Sequence, residues 1–315
     1  MTNARFSRLL YGVATYIPRV YGAMSISHLS LEEIALDGYS KWLQHIGAVM
    51  KQATGGMPRI VAEIGPGPSY AAGIAALIGG CSQYNALDVI EHADRSILPD
   101  VFDRIAKHFA DKRESRAWGP ILPLQRFPSH LLSDRDLGEL LAPSRLAALR
   151  KALADSRHGP LRVFVPWDDP AVIEKQSVDL VFSTAAMEHV DDLGKTYAAM
   201  KTWVRPGGAA SHVIDYGCHG SCRDWNGHWT CSRLTWRLLK GNRPYFLNRQ
   251  PHSAHTGLLR KNGFKILAES CVRTPSPVRL KMIDPEIATC FSENDLDIQY
   301  AFIQARNDES PVYQP

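Results

Sequence analysis

The chain reads as an α/β protein built on a parallel, doubly wound sheet. Three observations predict this. Short apolar runs alternate with helical patterns along most of the chain. The run Arg59-Ile60-Val61-Ala62-Glu63-Ile64 ends in the turn Gly65-Pro66-Gly67-Pro68, with small apolar residues at 69–79 behind it. The next apolar run begins at Tyr84 and closes on Leu87-Asp88-Val89, placing an acid at its end.

The elements follow in order. Residues 1–57 read as helical. Ile34, Trp42, Ile46 and Met50 fall at roughly helical spacing, and Gly55, Gly56 and Pro58 break the pattern. Strands are expected at 59–64, 84–89, 161–165, 178–183 and 210–215. A helix over 191–203 links the last two. The polar, proline-dotted stretch 112–160 reads as an insertion over the sheet, with one good helix in PSRLAALRKALAD. Residues 217–256 concentrate Trp, His, Cys, Gly and Asn. Strand patterns return at 264–272 and 298–305.

Composition excludes several classes. Hydrophobic residues make up 45% and charged residues 22%, which is too apolar for a disordered chain. A formal net charge of +4 with no long basic run argues against a nucleic-acid partner. No apolar stretch is long enough to span a membrane. The N-terminus lacks an apolar core followed by a cleavage site, so it reads as mature protein. Six cysteines make no disulfide framework, and the cytoplasm is the expected compartment.

The glycine turn permits close approach of a ligand to the backbone, and an acid at the next strand end can accept hydrogen bonds from both ribose hydroxyls. A dinucleotide site would place Gly or Ala at position 70, where this chain has Tyr70. The series Glu63-x-Gly65-x-Gly67, Asp88, Val165-Pro166-Trp167-Asp168, Val178–Ser183 with Met187-Glu188-His189-Val190, and Pro206-Gly207-Gly208 resembles class I S-adenosylmethionine-dependent methyltransferases of the type 11 kind. The resemblance implies a seven-stranded Rossmann-like sheet with its last strand antiparallel. It implies S-adenosyl-L-methionine as cofactor, held by Glu63, Gly65, Gly67, Asp88, Val89, Trp167, Asp168, Ser183 and Glu188. Ser69 stands where many members have a third glycine. The expected division is a helical cap over 1–57 and a class I methyltransferase domain over 58–315, with insertions at about 112–160 and 217–256 closing over the site. Tyr39 and His45 are expected to face inward from the cap. Phe6, Leu9, Leu10 and Tyr11 are alternatively a membrane or partner contact.

The segments Ser211–His219, Trp225–Trp229 and Asn248–His255 are dense in His, with Asp215 among them. Together with the Tyr39–His45 helix they resemble uncharacterised methyltransferases of bacterial surface-polysaccharide gene clusters, which implies a saccharide or other small-molecule hydroxyl as acceptor. A neutral hydroxyl benefits from a base, and histidine serves near neutral pH. The expected catalytic set is His219 as base, Asp215 as its orienting partner, and His228 and His255 as secondary groups. A divalent metal on Glu188, His189, Asp215 and His219 is the lesser reading. Some small-RNA and quinone methyltransferases carry a Glu-x-x-Glu-His element there, and Ala185 stands where its first Glu would be. The spacing of Cys218, Cys222 and Cys231 matches no standard zinc knuckle, so buried thiols are expected. Trp225, Trp229, Trp236 and Tyr245 are either a stacking platform for a sugar or an aromatic core. The rival functions are an NAD-type oxidoreductase and a non-catalytic binding protein on a nucleotide fold.

Overall fold

The fold is described from a computed structural model covering residues 3–17, 29–52, 56–91, 93–122, 125–155, 158–167 and 169–308. Seven strands form one sheet: β1 (Ile60–Ile64), β2 (Gln83–Leu87), β3 (Leu161–Phe164), β4 (Val178–Thr184), β5 (Val204–Asp215), β6 (Phe264–Arg273) and β7 (Ile298–Asn307). Their order is β3-β2-β1-β4-β5-β7-β6. The first five are parallel, with Val61 opposite Leu180 and Ala86 opposite Val163. β7 runs antiparallel between β5 and β6, with Ala210 opposite Ala305. β5 starts at Val204, earlier than the expected 210. The Pro206-Gly207-Gly208 turn is absorbed within the strand as a register shift, with Gly207 at φ 75.

Alternation divides the strands between two cores. Val61, Leu180 and Phe182 face α2 (Leu31–Gln52), α3 (Ala71–Ile78) and α4 (Leu98–Ala110). Ala62, Val181 and Ala210 face α7 (Leu193–Trp203) and α9 (His252–Lys261). The start of α2 is set by a reciprocal pair: the Ser30 amide donates to Glu33 Oε2 at 2.8 Å, and the Glu33 amide to Ser30 Oγ at 3.3 Å. Where α2 crosses α3, a Cβ on Gly38 would stand 2.3 Å from the Ala71 Cβ, so only glycine allows the approach.

This placement corrects the expected cap. Residues 31–52 share a core with β1 and β4, because the wide apolar face of α2 can be buried only against the sheet layer. Tyr39 and His45 do face inward, but towards that layer. The Tyr39 hydroxyl donates to the Arg113 carbonyl at 2.8 Å. His45 Nδ1 meets Ser211 Oγ at 2.8 Å and Nε2 meets Thr184 Oγ1 at 2.9 Å. The first insertion divides: Trp118, Ile121 and Leu122 pack on Val213, Phe302 and Tyr300 near the end of β5, while its helices lie elsewhere. It carries α5 (Asp134–Leu140) and α6 (Pro143–Leu153). Arg145 on α6 donates to the carbonyls of Leu77 and Ile78, at the end of α3 remote from the glycine turn. The remaining helices, α1 (Phe6–Ala14) and α8 (Arg233–Lys240), lie against each other. Among the described residues no helix is long and apolar enough to cross a membrane.

Candidate active site

The strand order reverses between β1 and β4, and a crevice opens beyond the carboxyl ends of strands at such a point. A cavity of about 380 Å3 lies there, lined by Gly65, Gly67, Asp88, Trp167, Ala186, His189 and Tyr245 among others. A second cavity, of about 440 Å3, sits around Pro58, Asp179, Arg205 and Asn307. It lies at the opposite, amino-terminal end of β1 and β4, away from the glycine turn, and so is not the ligand crevice of this sheet type.

Backbone geometry explains the glycines. Gly65 has φ 69 and Gly67 has φ 71, both left-handed. A Cβ on Gly65 would meet the Ala186 Cβ at 2.5 Å, which ties the β1 turn to the segment after β4. Asp88 ends its strand half-buried, with Oδ1 accepting the Val89 amide at 2.7 Å. Its carboxylate lines the cavity together with Val89 and Trp167. The Trp167 indole rests edge-on against Trp203, with centroids 5.3 Å apart. Asp168 lies outside the described residues. Tyr70 is buried at the start of α3 with φ 49 and packs in the core on the α2–α4 side.

Three expected cofactor residues do not line this cavity. Glu63 is buried beneath the turn, where the Tyr84 hydroxyl donates to Oε2 at 2.5 Å. Burial pushes its carboxyl up to about 7. Ser183 faces the other core and bonds His212 Nδ1 at 2.8 Å. Glu188 is buried just behind the wall, with neither carboxylate oxygen partnered, and desolvation drives it well above the usual carboxylate range.

The histidines separate into two groups. His228 is packed between the Trp229 and Trp236 rings, at 5.2 and 6.0 Å, and burial lowers it to about 3. His255 is fully buried, with Nδ1 on the Tyr197 hydroxyl at 3.0 Å, and is likewise held near 3. Neither lines the cavity. Groups that resist protonation so strongly are poor bases at neutral pH, so the secondary catalytic role expected for them is corrected to core packing. His219 is different. Its Nε2 stands 3.1 Å from Asp215 Oδ2 at the end of β5, and Asp215 Oδ1 accepts the Gly217 amide at 2.7 Å. The His219 ring packs edge-on against His189 at 5.1 Å, and His189 lines the cavity. Glu188, His189 and His219 each offer a ligand atom, all within 4.8 Å of one another.

The wall includes Ala185, noted in the sequence for the missing Glu, and residues the sequence reading passed over, among them Ala186, Asp191, Lys195 and Thr196. Their signal was position alone, since they follow β4 directly. Ala185 is left-handed at φ 51, a conformation unusual for a β-carbon residue and frequent at functional turns. Asn248, in the second insertion, clamps this segment. Its amide donates to the Glu188 carbonyl at 2.7 Å, and its side chain donates to the carbonyls of Met187 and Val190 at 2.8 and 3.0 Å. Of the four aromatics singled out, only Tyr245 lines the cavity. Trp229 is core.

Residues 146–211 match the family model described as a methyltransferase domain. That match, the strand order and the glycine turn make the chain an S-adenosylmethionine-dependent methyltransferase. No curated protein matches its sequence. The methyltransferase is similar to several solved structures at low identity. One is an S-adenosylmethionine-dependent methyltransferase from Mesorhizobium loti, at 16% identity over 86% of this chain and 99% of that one, with a TM-score of 0.39. Another is geranyl diphosphate C-methyltransferase from Streptomyces coelicolor A3(2), at 14% over 92% and 88%, TM-score 0.42. A third is phosphoethanolamine N-methyltransferase 2 from Haemonchus contortus, at 13% over 89% and 58%, TM-score 0.43. Likeness at this level says nothing about the acceptor of the methyltransferase.

Proposed function

We propose that the protein transfers a methyl group from S-adenosylmethionine to a hydroxyl oxygen of a saccharide or other small molecule. The observation that carries this reading is the Asp215–His219 pair, held at 3.1 Å at the end of β5 and packed on the cavity wall through His189. Gly65 and Gly67 bring backbone to the cofactor, and Asp88 accepts from its ribose. The hydroxyl attacks in line with the sulfonium. The O–C bond forms, the C–S bond breaks, and its electron pair stays on sulfur, giving the neutral thioether. His219 takes the hydroxyl proton, and Asp215 orients the ring and stabilises the imidazolium. The saccharide choice rests on the resemblance of the 217–256 segment to enzymes of polysaccharide gene clusters. The six cysteines are all unpaired, which fits a cytoplasmic site of action. The test is turnover of labelled cofactor against a panel of glycans and phenols. A product labelled on nitrogen or carbon, or none from any hydroxyl acceptor, defeats the reading.

Glu188 favours a second reading. Its two unpartnered, buried carboxylate oxygens lie beside His189 and His219. These three would hold a divalent cation of intermediate softness, which would polarise the hydroxyl and take His219 as ligand instead of base. Equilibrium dialysis separates the two: one tightly held ion per chain, lost in Glu188→Gln, selects the cation.

A further inference from the structure

α1 and α8 pack so closely that a Cβ on Gly12 would stand 2.0 Å from the Leu238 carbonyl oxygen. Their inner sides close a small core around Ala4, Cys222 and Leu239, with Leu9 and Trp236 packed against it. Their outer sides are apolar and, among the described residues, exposed. Phe6, Leu10 and Val13 form one stripe at helical spacing on α1, with Ile17 exposed just past its end, and Leu234 and Leu238 form a second on α8. Phe6 is 73% exposed and Leu234 68%. With Tyr16, these are seven of the ten large apolar side chains exposed among the described residues. Exposure on this scale is concentrated on one surface, and such patches mark contact sites.

The two helices themselves carry charge of one sign only. Arg5, Arg8, Arg233, Arg237 and Lys240 lie on or beside the two helices, and neither helix contains an Asp or Glu. Two acids adjoin the patch and offset two of these five cations, leaving Arg5, Arg8 and Arg237 without an ion pair among the described residues. Asp191 pairs with Lys240 at 3.0 Å, and Glu286 stands 3.7 Å from Arg233.

We infer that the α1–α8 surface docks on an anionic lipid bilayer, lying in the plane of the interface. An apolar face with a basic rim complements acyl chains below and acidic headgroups around, and arginine stems reach upward to the headgroups. A second copy of the chain is the poorer occupant. A two-fold contact would set the patch on itself, cation row against cation row. The surface is also close to the cofactor cavity, because Asp191, the partner of Lys240, lines it. The inference stands apart from the choice of acceptor, since none of the docking residues is in the catalytic machinery.

The experiment is co-sedimentation of the full chain with vesicles of phosphatidylcholine alone and of phosphatidylcholine with phosphatidylglycerol. The expected result is retention on the anionic vesicles that weakens with added salt, and little on the neutral ones. The triple variant Phe6→Ser, Leu10→Ser, Leu234→Ser should lose at least about tenfold in partitioning, because each change withdraws apolar area from the acyl region. The pair Arg8→Glu, Arg237→Glu should lose the preference for anionic lipid. Unchanged affinity for S-adenosylhomocysteine establishes that the variants are folded. Three outcomes overturn the inference: no retention of the wild type, equal retention of the triple variant, or a concentration-dependent dimer that the triple variant dissolves while vesicles retain nothing.

Discussion

The Tyr84 hydroxyl donates to the Glu63 carboxyl at 2.5 Å within the layer beneath the glycine turn. Burial outweighs that hydrogen bond and the distant Lys41 charge, and carries the carboxyl from 4.5 to about 7. The folded value lies above the unfolded one, so the unfolded chain gives up this proton first as pH rises. The Glu63 contribution to stability is therefore fully present below about pH 4.5, is lost by about 3 kcal/mol as pH climbs through about 7, and is flat above. The buried His45, His212, His228 and His255, lowered to about 3, act in the opposite sense and cost stability as pH falls below about 6.5. Chemical denaturation of wild type and Glu63→Gln across this range should show a stability difference that moves by about 3 kcal/mol against the wild type between about pH 4.5 and 7. A difference constant across this range would remove Glu63 as the source.

Asp88 and Glu63 should behave differently toward the cofactor. Asp88 lines the cavity and Glu63 does not. Asp88→Ala should weaken S-adenosylhomocysteine binding by about 2 kcal/mol, roughly thirtyfold, by calorimetry. Glu63→Gln should shift it by less than about threefold. The reverse order would mean that the ribose acid has been misplaced.

Replacing the proposed base separates chemistry from binding. His219→Ala should lower kcat by at least about a hundredfold and leave cofactor affinity near wild type. Asp215→Asn should follow in the same direction with a smaller effect. Tyr197→Phe, which removes the hydroxyl on His255, should cost about 1 kcal/mol of stability and leave kcat unchanged. A loss of turnover in Tyr197→Phe would return His255 to the catalytic set.

Asn248 offers a test of the wall itself. Asn248→Ala removes two side-chain hydrogen bonds to the segment after β4 and should cost about 2 kcal/mol in thermal unfolding. His189 sits on that segment, so KM should rise along with the loss of stability. A lower melting temperature with unchanged KM would confine Asn248 to a structural role.

Much of the sheet was legible because period-two burial and glycine punctuation are local signals. Val61, Ala62 and Ile64 announce β1, and Gly65 and Gly67 announce the turn after it. The switch point followed from chain order once the β4 pattern was recognised. What stayed hidden depends on three-dimensional partners. Nothing local distinguishes His219, stacked on His189 of the cavity wall, from His255, locked on Tyr197 across the α7–α9 layer. Glu63 carries a motif position, yet its carboxyl is turned to a tyrosine on the neighbouring strand. α2 resembled a cap because amphipathic spacing records that a face is buried and says nothing of what buries it. Asn248 gave no signal, since its role lies in three backbone carbonyls about sixty residues away.

The antiparallel insertion of β7 has a consequence for the order of events during synthesis. β6 is made before β7, but the sheet leaves it no neighbour until residues 298–307 arrive to lie between it and β5. Until then β5, the most central long strand, keeps one row of amides and carbonyls open to the surroundings. A nascent chain stalled before Ile298 should therefore be far more sensitive to protease, and more prone to pair with strangers, than its length alone suggests. The finishing stitch closes the middle of the fabric and not its hem.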